Sequence, residues 1–226
     1  MATVLEYALL ADAAYQAGSG SSLKPPESWT LVETSTGVGG FKGAAFARGG
    51  ELVVAFAGTE IKSGVVDAIQ DVTADLRILG DMPRQSSAAR DLFKAAQEHS
   101  LGQHCGTTTI CGHSLGGALT QHIAYWTKEN FVTFNAPGAY TGIQGTKLAF
   151  FHSPQKAFRT WEASFRSAAT GYNYRLPNDP ISKVGIHYGS HTITMDNDLG
   201  KSGHSMVSVI EVCRKTIWGS RRPFGR

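Results

Sequence analysis

The spacing of apolar residues along the chain predicts several short, buried strands. Residues 52–57 are all apolar, which is typical of a strand that is covered on both faces of a sheet. Residues 107–111 are β-prone, and residues 131–135 form another short apolar run. Later strands are predicted at 172–175 and 188–194, where aromatic and β-branched residues concentrate. Buried runs of this kind indicate a sheet with helices on both sides.

Between these strands, apolar residues recur at the three- to four-residue spacing of helices. The first helix lies near the amino terminus and is predicted to bury Leu5, Ala8, Leu9 and Ala13 on one face. Further helices are predicted at residues 71–79, 86–99, 115–126, 154–168 and 205–218. Strands that alternate with helices predict an α/β fold with a mainly parallel, doubly wound sheet.

Glycine-rich turns predict an antiparallel exception in the first part of the chain. Residues 29–36, 41–48 and 51–57 read as strands, and glycine clusters separate each from the next. Tight hairpins of this kind join antiparallel neighbours. A further strand at 147–151 is predicted more weakly.

Composition narrows the class of protein without indicating an activity. The chain has 226 residues, 42% of them apolar, and a formal net charge of +3, which suits a single domain over residues 1–226. So small a positive charge does not indicate a nucleic-acid partner. Cys105, Cys111 and Cys213 cannot all pair and lack metal-site spacing, so neither a disulfide framework nor a metal is expected. We also expect no organic cofactor.

The first residues do not read as a signal peptide. They have no basic start, and Glu6 and Asp12 interrupt the apolar stretch. No apolar run in the sequence approaches the length of a membrane span. We therefore expect synthesis in the cytoplasm without a signal peptide, and any export by a route other than the general secretory one.

The segment Gly112-His113-Ser114-Leu115-Gly116 is a Gly-x-Ser-x-Gly motif between a predicted strand and a predicted helix. At such a turn the serine adopts a strained backbone conformation, and its hydroxyl stands clear of the sheet. The glycines remove Cβ atoms that would collide with neighbouring chain. The amides at the helix start point to where an oxyanion would form. This context indicates a nucleophile elbow with Ser114 as the nucleophile.

A serine nucleophile needs a histidine to take its proton and a carboxylate to orient that histidine. In α/β-hydrolase folds the acid and then the histidine follow the serine along the chain. Asp179 comes just after a predicted strand, and His204 lies in a loop before the last helix. The other downstream candidates are Glu162, Asp196 and Asp198 for the acid, and His152, His187 and His191 for the base.

The main rivals of His204 are His187 and His191. Four residues apart in one predicted strand, they would share a face but lie about 13 Å apart at ~3.3 Å per residue, which excludes joint metal binding. His113 and His122 are interpreted as packing or hydrogen-bonding residues, and His113 should point away from Ser114.

Taken together, several segments resemble the class 3 lipases, a family that includes fungal triacylglycerol lipases and related esterases and phospholipases A1. The resemblance covers most of the chain. The segments that carry it are Ala13-Ala14-Tyr15, residues 53–59, Asp75-Leu76, the elbow extended to Ala118, residues 133–138, Asp179-Pro180-Ile181 and His204-Ser205-Met206.

This resemblance implies an α/β-hydrolase fold and a serine esterase that hydrolyses carboxylic ester bonds of lipids, as a lipase or a phospholipase A1. Ser114 would be the nucleophile, Asp179 the orienting carboxylate and His204 the base. Thr59 and the backbone amide of Leu115 would form the oxyanion hole. Two alternatives share the fold: a catalytically weak lipid-binding protein, and an acyltransferase that uses the same acyl-enzyme.

Two segments outside the triad are predicted to meet lipid. Residues 60–70 mix apolar and polar side chains and are predicted to form a mobile cover over the site. Arg221, Arg222 and Arg226 lie beside two aromatic residues and are predicted to touch anionic headgroups. One hypothesis for delivery is a bacterial toxin, similar to the lipase effectors of type VI secretion, and a toxin of that kind would have a cognate inhibitor protein.

Overall fold

The structure is a computed structural model. It describes residues 1–19, 23–58, 72–139, 169–189, 191–201 and 203–224, with the backbone alone for residues 72–84, 100 and 101. Within these residues, seven strands form one sheet in chain order. They are β1 Thr30–Gly37, β2 Phe41–Arg48, β3 Glu51–Phe56, β4 Thr107–His113, β5 Asn130–Phe134, β6 Gly171–Arg175 and β7 His191–Thr194.

The sheet is antiparallel at one side and parallel over the rest. β1 pairs with β2 and β2 with β3 in antiparallel register, as the hairpin pattern predicted. Gly49 and Gly50 both have positive φ, at 52° and 83°, a conformation of the turn between β2 and β3 that favours glycine. From β3 to β7 every pairing is parallel. These five strands therefore all end at one side of the sheet, which we call the carboxyl edge; they begin at the amino edge.

Helices cover both faces of the sheet. In the part of the chain that the structure describes they are α1 Val4–Ala13, α2 Val72–Glu98, α3 Ser100–Gln103, α4 Leu115–Thr127 and α5 Met206–Lys215. Strand β3 shows why two layers form: Val53 and Ala55 join the core with α1 and α5, whereas Leu52, Val54 and Phe56 join the core with α2 and α4. The predicted α/β fold with a mainly parallel sheet is confirmed.

Three details of the predicted elements are wrong. The helices expected at 71–79 and 86–99 are one continuous helix, α2. The strand expected at 188–194 begins only at His191, because Gly189 has a φ of 99° and turns the chain before it can pair.

The third error concerns the face of α1 that is buried. Leu5 and Leu9 are only half-buried, while Val4, Tyr7, Leu10 and Ala11 are fully buried together with Ala8 and Ala13. α1 is pressed between the sheet on one side and α5 on another, so its buried surface is wider than a single stripe.

The carboxy-terminal residues fold back onto the start of α1. The carbonyl of Arg221 accepts a hydrogen bond from the amide of Val4 at 2.9 Å. The ring of Phe224 packs edge-on against Tyr7 and Tyr172, with ring centroids 6.2 and 5.3 Å apart. This tail therefore lies at the amino edge of the sheet, and its aromatic ring is held by protein contacts.

Several predictions fall outside the described part of the chain. These are the cover at 60–70, the strand at 147–151, the helix at 154–168 and residue Arg226. Among the residues that are described, no helix is both long and apolar enough to cross a membrane.

Candidate active site

Ser114 occupies a sharp turn between the last residue of β4 and the first residue of α4. Its φ and ψ are 56° and −129°, a region that costs a residue with a side chain about 1–3 kcal/mol. The turn is held from both sides: the Ser114 amide donates to the carbonyl of Phe134 at 3.1 Å, and the Ser114 carbonyl accepts from the Gly117 amide at 2.9 Å. The strained conformation predicted for this serine is present.

The glycines on either side of Ser114 are required by close backbone contacts. A Cβ on Gly112 would run into the carbonyl of Gly116, and a Cβ on Gly116 would run into the carbonyl of Phe56. The end of β3 also comes close, since a Cβ on Gly58 would lie 2.9 Å from the Cβ of Ser114. Any side chain at these positions would push the serine off the sheet.

His204 reaches Ser114 from the loop that precedes α5. Its Nε2 lies 2.7 Å from the Ser114 hydroxyl oxygen, and its Nδ1 lies 3.0 Å from the Oδ1 of Asp179. The imidazole is 13% exposed, so one part of it faces solvent. Residues 90 positions apart in the chain are thus joined by a direct hydrogen bond.

Asp179 is fully buried at the carboxyl edge, just beyond β6. Besides His204, its carboxylate accepts hydrogen bonds from the amide of Ile181 at 3.1 Å and from the amide of Ser182 at 3.2 Å. These amides belong to a short 3₁₀ turn, Ile181–Lys183, that begins right after Pro180. Three donors therefore fix the carboxylate in place and satisfy its charge.

The three side chains have a defined proton arrangement. The carboxylate of Asp179 can only accept, so Nδ1 of His204 carries the hydrogen between them. Nε2 is then free to accept the hydrogen of the Ser114 hydroxyl. The arrangement can move a proton from a serine oxygen to a histidine whose positive charge would be balanced by a buried carboxylate.

His113 lies beside these three side chains, but its two ring nitrogens face other groups. Its Nε2 donates to the backbone carbonyl of His204 at 2.9 Å, and its Nδ1 accepts from the Tyr15 hydroxyl at 2.8 Å. Burial lowers the pKa of His113 to about 3, so this ring stays neutral. The predicted hydrogen-bonding role of His113 agrees with these contacts.

The rival histidines do not meet Ser114. His187 lies outside the sheet, where its Nε2 donates to the carbonyl of Ser182 at 2.9 Å. His191 begins β7 at the amino edge and stacks on Tyr172, with ring centroids 4.6 Å apart. The expectation that both share one face of a strand is therefore wrong, and the reason is the turn at Gly189.

The remaining candidates are placed as follows. His122 accepts a hydrogen bond from the indole of Trp126, four residues further along α4, at 3.3 Å. Asp196 and Asp198 are exposed beyond β7. Glu162 and His152 lie outside the described residues.

One half of the expected oxyanion hole is described. The amide of Leu115, at the start of α4, enters no hydrogen bond within the described part of the chain. Thr59 lies outside the described residues, but its predecessor Gly58 is packed against Ser114. An amide at a helix start next to a nucleophile is suited to receive a negative oxygen.

Sequence reasoning assigned no role to Asn135, although the residue touches both loops of the site. It directly follows the last residue of β5 with a φ of 46°, and its side chain contacts the backbone of Leu176 and Gly203. The available signal was a polar residue directly after a short, mostly apolar buried strand.

No metal site accompanies these groups in the part of the chain that is described. None of its histidine, cysteine and acidic side chains form a cluster of three that could hold a metal ion. Cys111 and Cys213 are buried free thiols, and burial raises the pKa of Cys213 to about 12.

Fold and site together define a lipase-like α/β-hydrolase, within the carboxylic ester hydrolases. The chain belongs to the Tle-like phospholipase domain family, described as phospholipase-like, whose model matches residues 6–147. That match covers more than half of the chain. The resemblance to lipases inferred from the sequence is confirmed.

One solved lipase structure shows the same fold, and two further solved structures are more distantly similar. Lipase II from Rhizopus niveus is 18% identical, with a TM-score of 0.55 over 83% of this chain and 78% of that chain. A fungal lipase in an inhibitor complex is 15% identical, with a TM-score of 0.45 over 86% of this chain and 80% of that chain. Carboxyl esterase 2 from Tuber melanosporum is 12% identical, with a TM-score of 0.39 over 91% of both chains. Comparison with curated proteins gave no match.

Proposed function

We propose that this chain is a serine esterase that hydrolyses the carboxyl ester bonds of phospholipids. Ser114 is the nucleophile, His204 the general base and Asp179 the carboxylate that orients it. The observation that carries the proposal is the unbroken hydrogen-bonded line from Asp179 through His204 to Ser114, with distances of 3.0 and 2.7 Å. Membership of a phospholipase-like family supports phospholipid as the substrate class.

In the first half of the reaction, Nε2 of His204 takes the hydroxyl proton as the Ser114 oxygen attacks the ester carbonyl carbon. The buried charge of Asp179 stabilises the imidazolium that results. The proton then passes to the leaving alcohol oxygen, the ester bond breaks, and an acyl group stays on Ser114. A water repeats the sequence and releases a fatty acid.

Two groups are proposed to stabilise the negative oxygen that forms in each half. One is the amide of Leu115, which has no hydrogen bond elsewhere in the described residues. The other is Thr59, supported by the position of Gly58 against Ser114. Losing one such donor typically costs about 2.7–4 kcal/mol in the transition state.

The strained serine argues against a protein that only binds lipid. The backbone conformation of Ser114 costs free energy. A protein that only binds lipid would gain nothing from a strained serine at this position. An acyltransferase would use the same groups and differ only in excluding water. The products of the reaction distinguish it from a hydrolase.

The test is to treat the purified chain with a serine-reactive phosphonate and with phospholipid vesicles. We expect one phosphonate adduct, at Ser114, and release of fatty acid with lysophospholipid. Ser114→Ala should lose both, and Ser220→Ala, at an exposed serine of the tail, should keep both. An adduct at another residue, or hydrolysis by Ser114→Ala, would overturn the assignment.

The substrate is resolved by comparing products. Fatty acid released from phospholipid but not from triacylglycerol supports the phospholipid assignment, and the reverse makes the chain a triacylglycerol lipase. Acyl groups that pass to an added alcohol in preference to water would make it an acyltransferase. A rate that rises sharply once substrate aggregates would support the proposed cover at 60–70.

A further inference from the structure

The acid and the base of the proposed site both sit on loops. Asp179 follows β6 after a short loop, and His204 precedes α5. The β6–β7 ladder ends at Arg175 and Thr194, and within the described residues neither Asp179 nor His204 lies in a strand or an α-helix. The 3.0 Å distance between Nδ1 of His204 and Oδ1 of Asp179 therefore depends on contacts that hold the two loops together.

Asn135 connects the two loops through one side chain. Its Oδ1 accepts from the amide of Leu176, three residues before the acid, at 2.9 Å. Its Nδ2 donates to the carbonyl of Gly203, the residue before the base, at 3.1 Å. The amide of Gly203 also donates to the carbonyl of Pro177 at 3.0 Å, so a backbone hydrogen bond joins the same two loops.

Few other residues suit this position. The side chain is fully buried and must accept at one atom and donate at another, which only an amide does at this length. The backbone φ of 46° lies in the left-handed region, which asparagine tolerates better than most residues with a side chain. Asparagine therefore meets the backbone and the hydrogen-bonding requirement together.

We propose that Asn135 is a positioning residue that sets the base loop against the acid loop and so aligns His204 with Ser114. The inference rests on the proposed function. Next to this contact, Nε2 of His113 donates to the carbonyl of His204 at 2.9 Å. Two successive carbonyls of the base loop are thus held by side chains from the ends of β4 and β5.

Two substitutions test the contact. Asn135→Gly removes both hydrogen bonds and relaxes the backbone, since glycine favours a positive φ. Asn135→Asp keeps the acceptor for Leu176 and places an oxygen against the Gly203 carbonyl. We expect each to lower kcat on a soluble short-chain ester by roughly 10- to 100-fold, because a small misplacement of a catalytic group has effects of this size. KM should change by less than about twofold.

Asn173 provides a matched control. It is a buried asparagine on the neighbouring strand β6, where its Nδ2 donates to the carbonyl of Tyr188 at 3.0 Å and its Oδ1 accepts from Thr133 at 2.8 Å. It also ties the sheet to a loop, but it touches neither loop of the site. Asn173→Ala should lower the unfolding midpoint and leave kcat per active site within about twofold.

Titration of active sites with the phosphonate normalises kcat to folded molecules, so a partly unfolded variant still gives a result. A kcat within twofold of the wild type in Asn135→Gly overturns the inference and leaves the proposed function intact. So does a loss of kcat in Asn173→Ala equal to that in Asn135→Gly. A wild-type chain that neither hydrolyses ester nor reacts with the phosphonate overturns the proposed function and this inference with it.

Discussion

The two edges of the sheet each contain a buried carboxylate, and their surroundings differ. At the carboxyl edge, Asp179 accepts hydrogen bonds from two backbone amides and from the imidazole of His204. At the amino edge, Glu51 accepts the backbone amide of Ala2 at 3.1 Å and the hydroxyl of Tyr7 at 2.9 Å. Both carboxylates are almost completely removed from solvent, since their side chains are 0% and 7% exposed.

The two carboxylates differ in the side chain that each one contacts, and in the group on the far side of that side chain. His204 can exchange a proton through its imidazole ring and has a serine hydroxyl on its far side. Tyr7 cannot, because burial raises the pKa of its hydroxyl far above its ordinary value, and behind it lies the hydroxyl of Thr109. A buried carboxylate therefore indicates reactivity only where its partner can carry a proton to another group.

The largest expected effect comes from removing the reactive side chains at the carboxyl edge. Ser114→Ala and His204→Ala should each reduce ester hydrolysis by roughly 10⁶-fold, and the double variant should lose little more, because the groups act as a unit. Steady-state kinetics on a soluble ester measures this. Losses that multiply in the double variant would show that the two residues act independently.

The next prediction compares the two carboxylates directly. Asp179→Asn should reduce kcat by roughly 10⁴-fold, since an amide does not hold the histidine in the required tautomer. Glu51→Gln should leave kcat within about twofold and lower the free energy of unfolding by about 1–3 kcal/mol, because it disturbs buried hydrogen bonds. Kinetics and denaturant unfolding on both variants measure the contrast, and a similar loss of kcat in the two would remove it.

A smaller effect concerns stability at acid pH. Burial lowers the pKa of His122 to about 4, from an ordinary 6.5. Below pH 6.5 the unfolded chain binds a proton here that the folded chain does not, so stability falls as pH drops from about 6.5 towards 4. His122→Gln removes this one contribution, which reaches about 2 kcal/mol at pH 5.

Unfolding curves at pH 7 and pH 5 measure the effect of His122→Gln. The variant should lose less stability than the wild type between the two values. His113 adds a similar acid-sensitive contribution in both proteins, so some decline remains. Equal declines in wild type and variant would mean that His122 is protonated in the folded chain.

The smallest expected effect is at the tail. Changing Arg221, Arg222 and Arg226 to Gln should weaken binding to anionic vesicles at low salt and leave hydrolysis of a soluble ester unchanged. The tail lies at the amino edge, away from Ser114, so its contact with lipid would act on docking rather than on chemistry. Sedimentation with vesicles measures it, and equal binding by both proteins at low salt would exclude a role of the arginines.

Local patterns were enough to predict the strained turn at Ser114 and its setting. The strain at Ser114 and the need for Gly112 and Gly116 follow from a strand, a tight turn and a helix that are contiguous in the chain. The order of acid and base along the chain left several downstream candidates, and the resemblance to class 3 lipases implied Asp179 and His204. The predicted parallel sheet followed from short apolar runs and needed no knowledge of distant contacts.

Contacts between distant segments were not predictable in the same way. Asn135 meets Gly203 across 68 residues, and His113 meets the His204 carbonyl across 91. Neither contact leaves a periodic pattern, because each depends on where loops end in space. The early end of the strand at 188–194 has the same origin, since one glycine conformation outweighed local β-propensity.

Strands that lie in the sheet in the order of the sequence have a consequence for synthesis. The sheet can be laid down strand by strand as the ribosome delivers the chain, and Ser114 is in place well before its base is made. At about 5–20 residues per second, the 90 residues between them take on the order of 5–20 seconds. During that interval the nascent chain carries Ser114 at its turn without His204, so the proposed reaction has no base until His204 has been made.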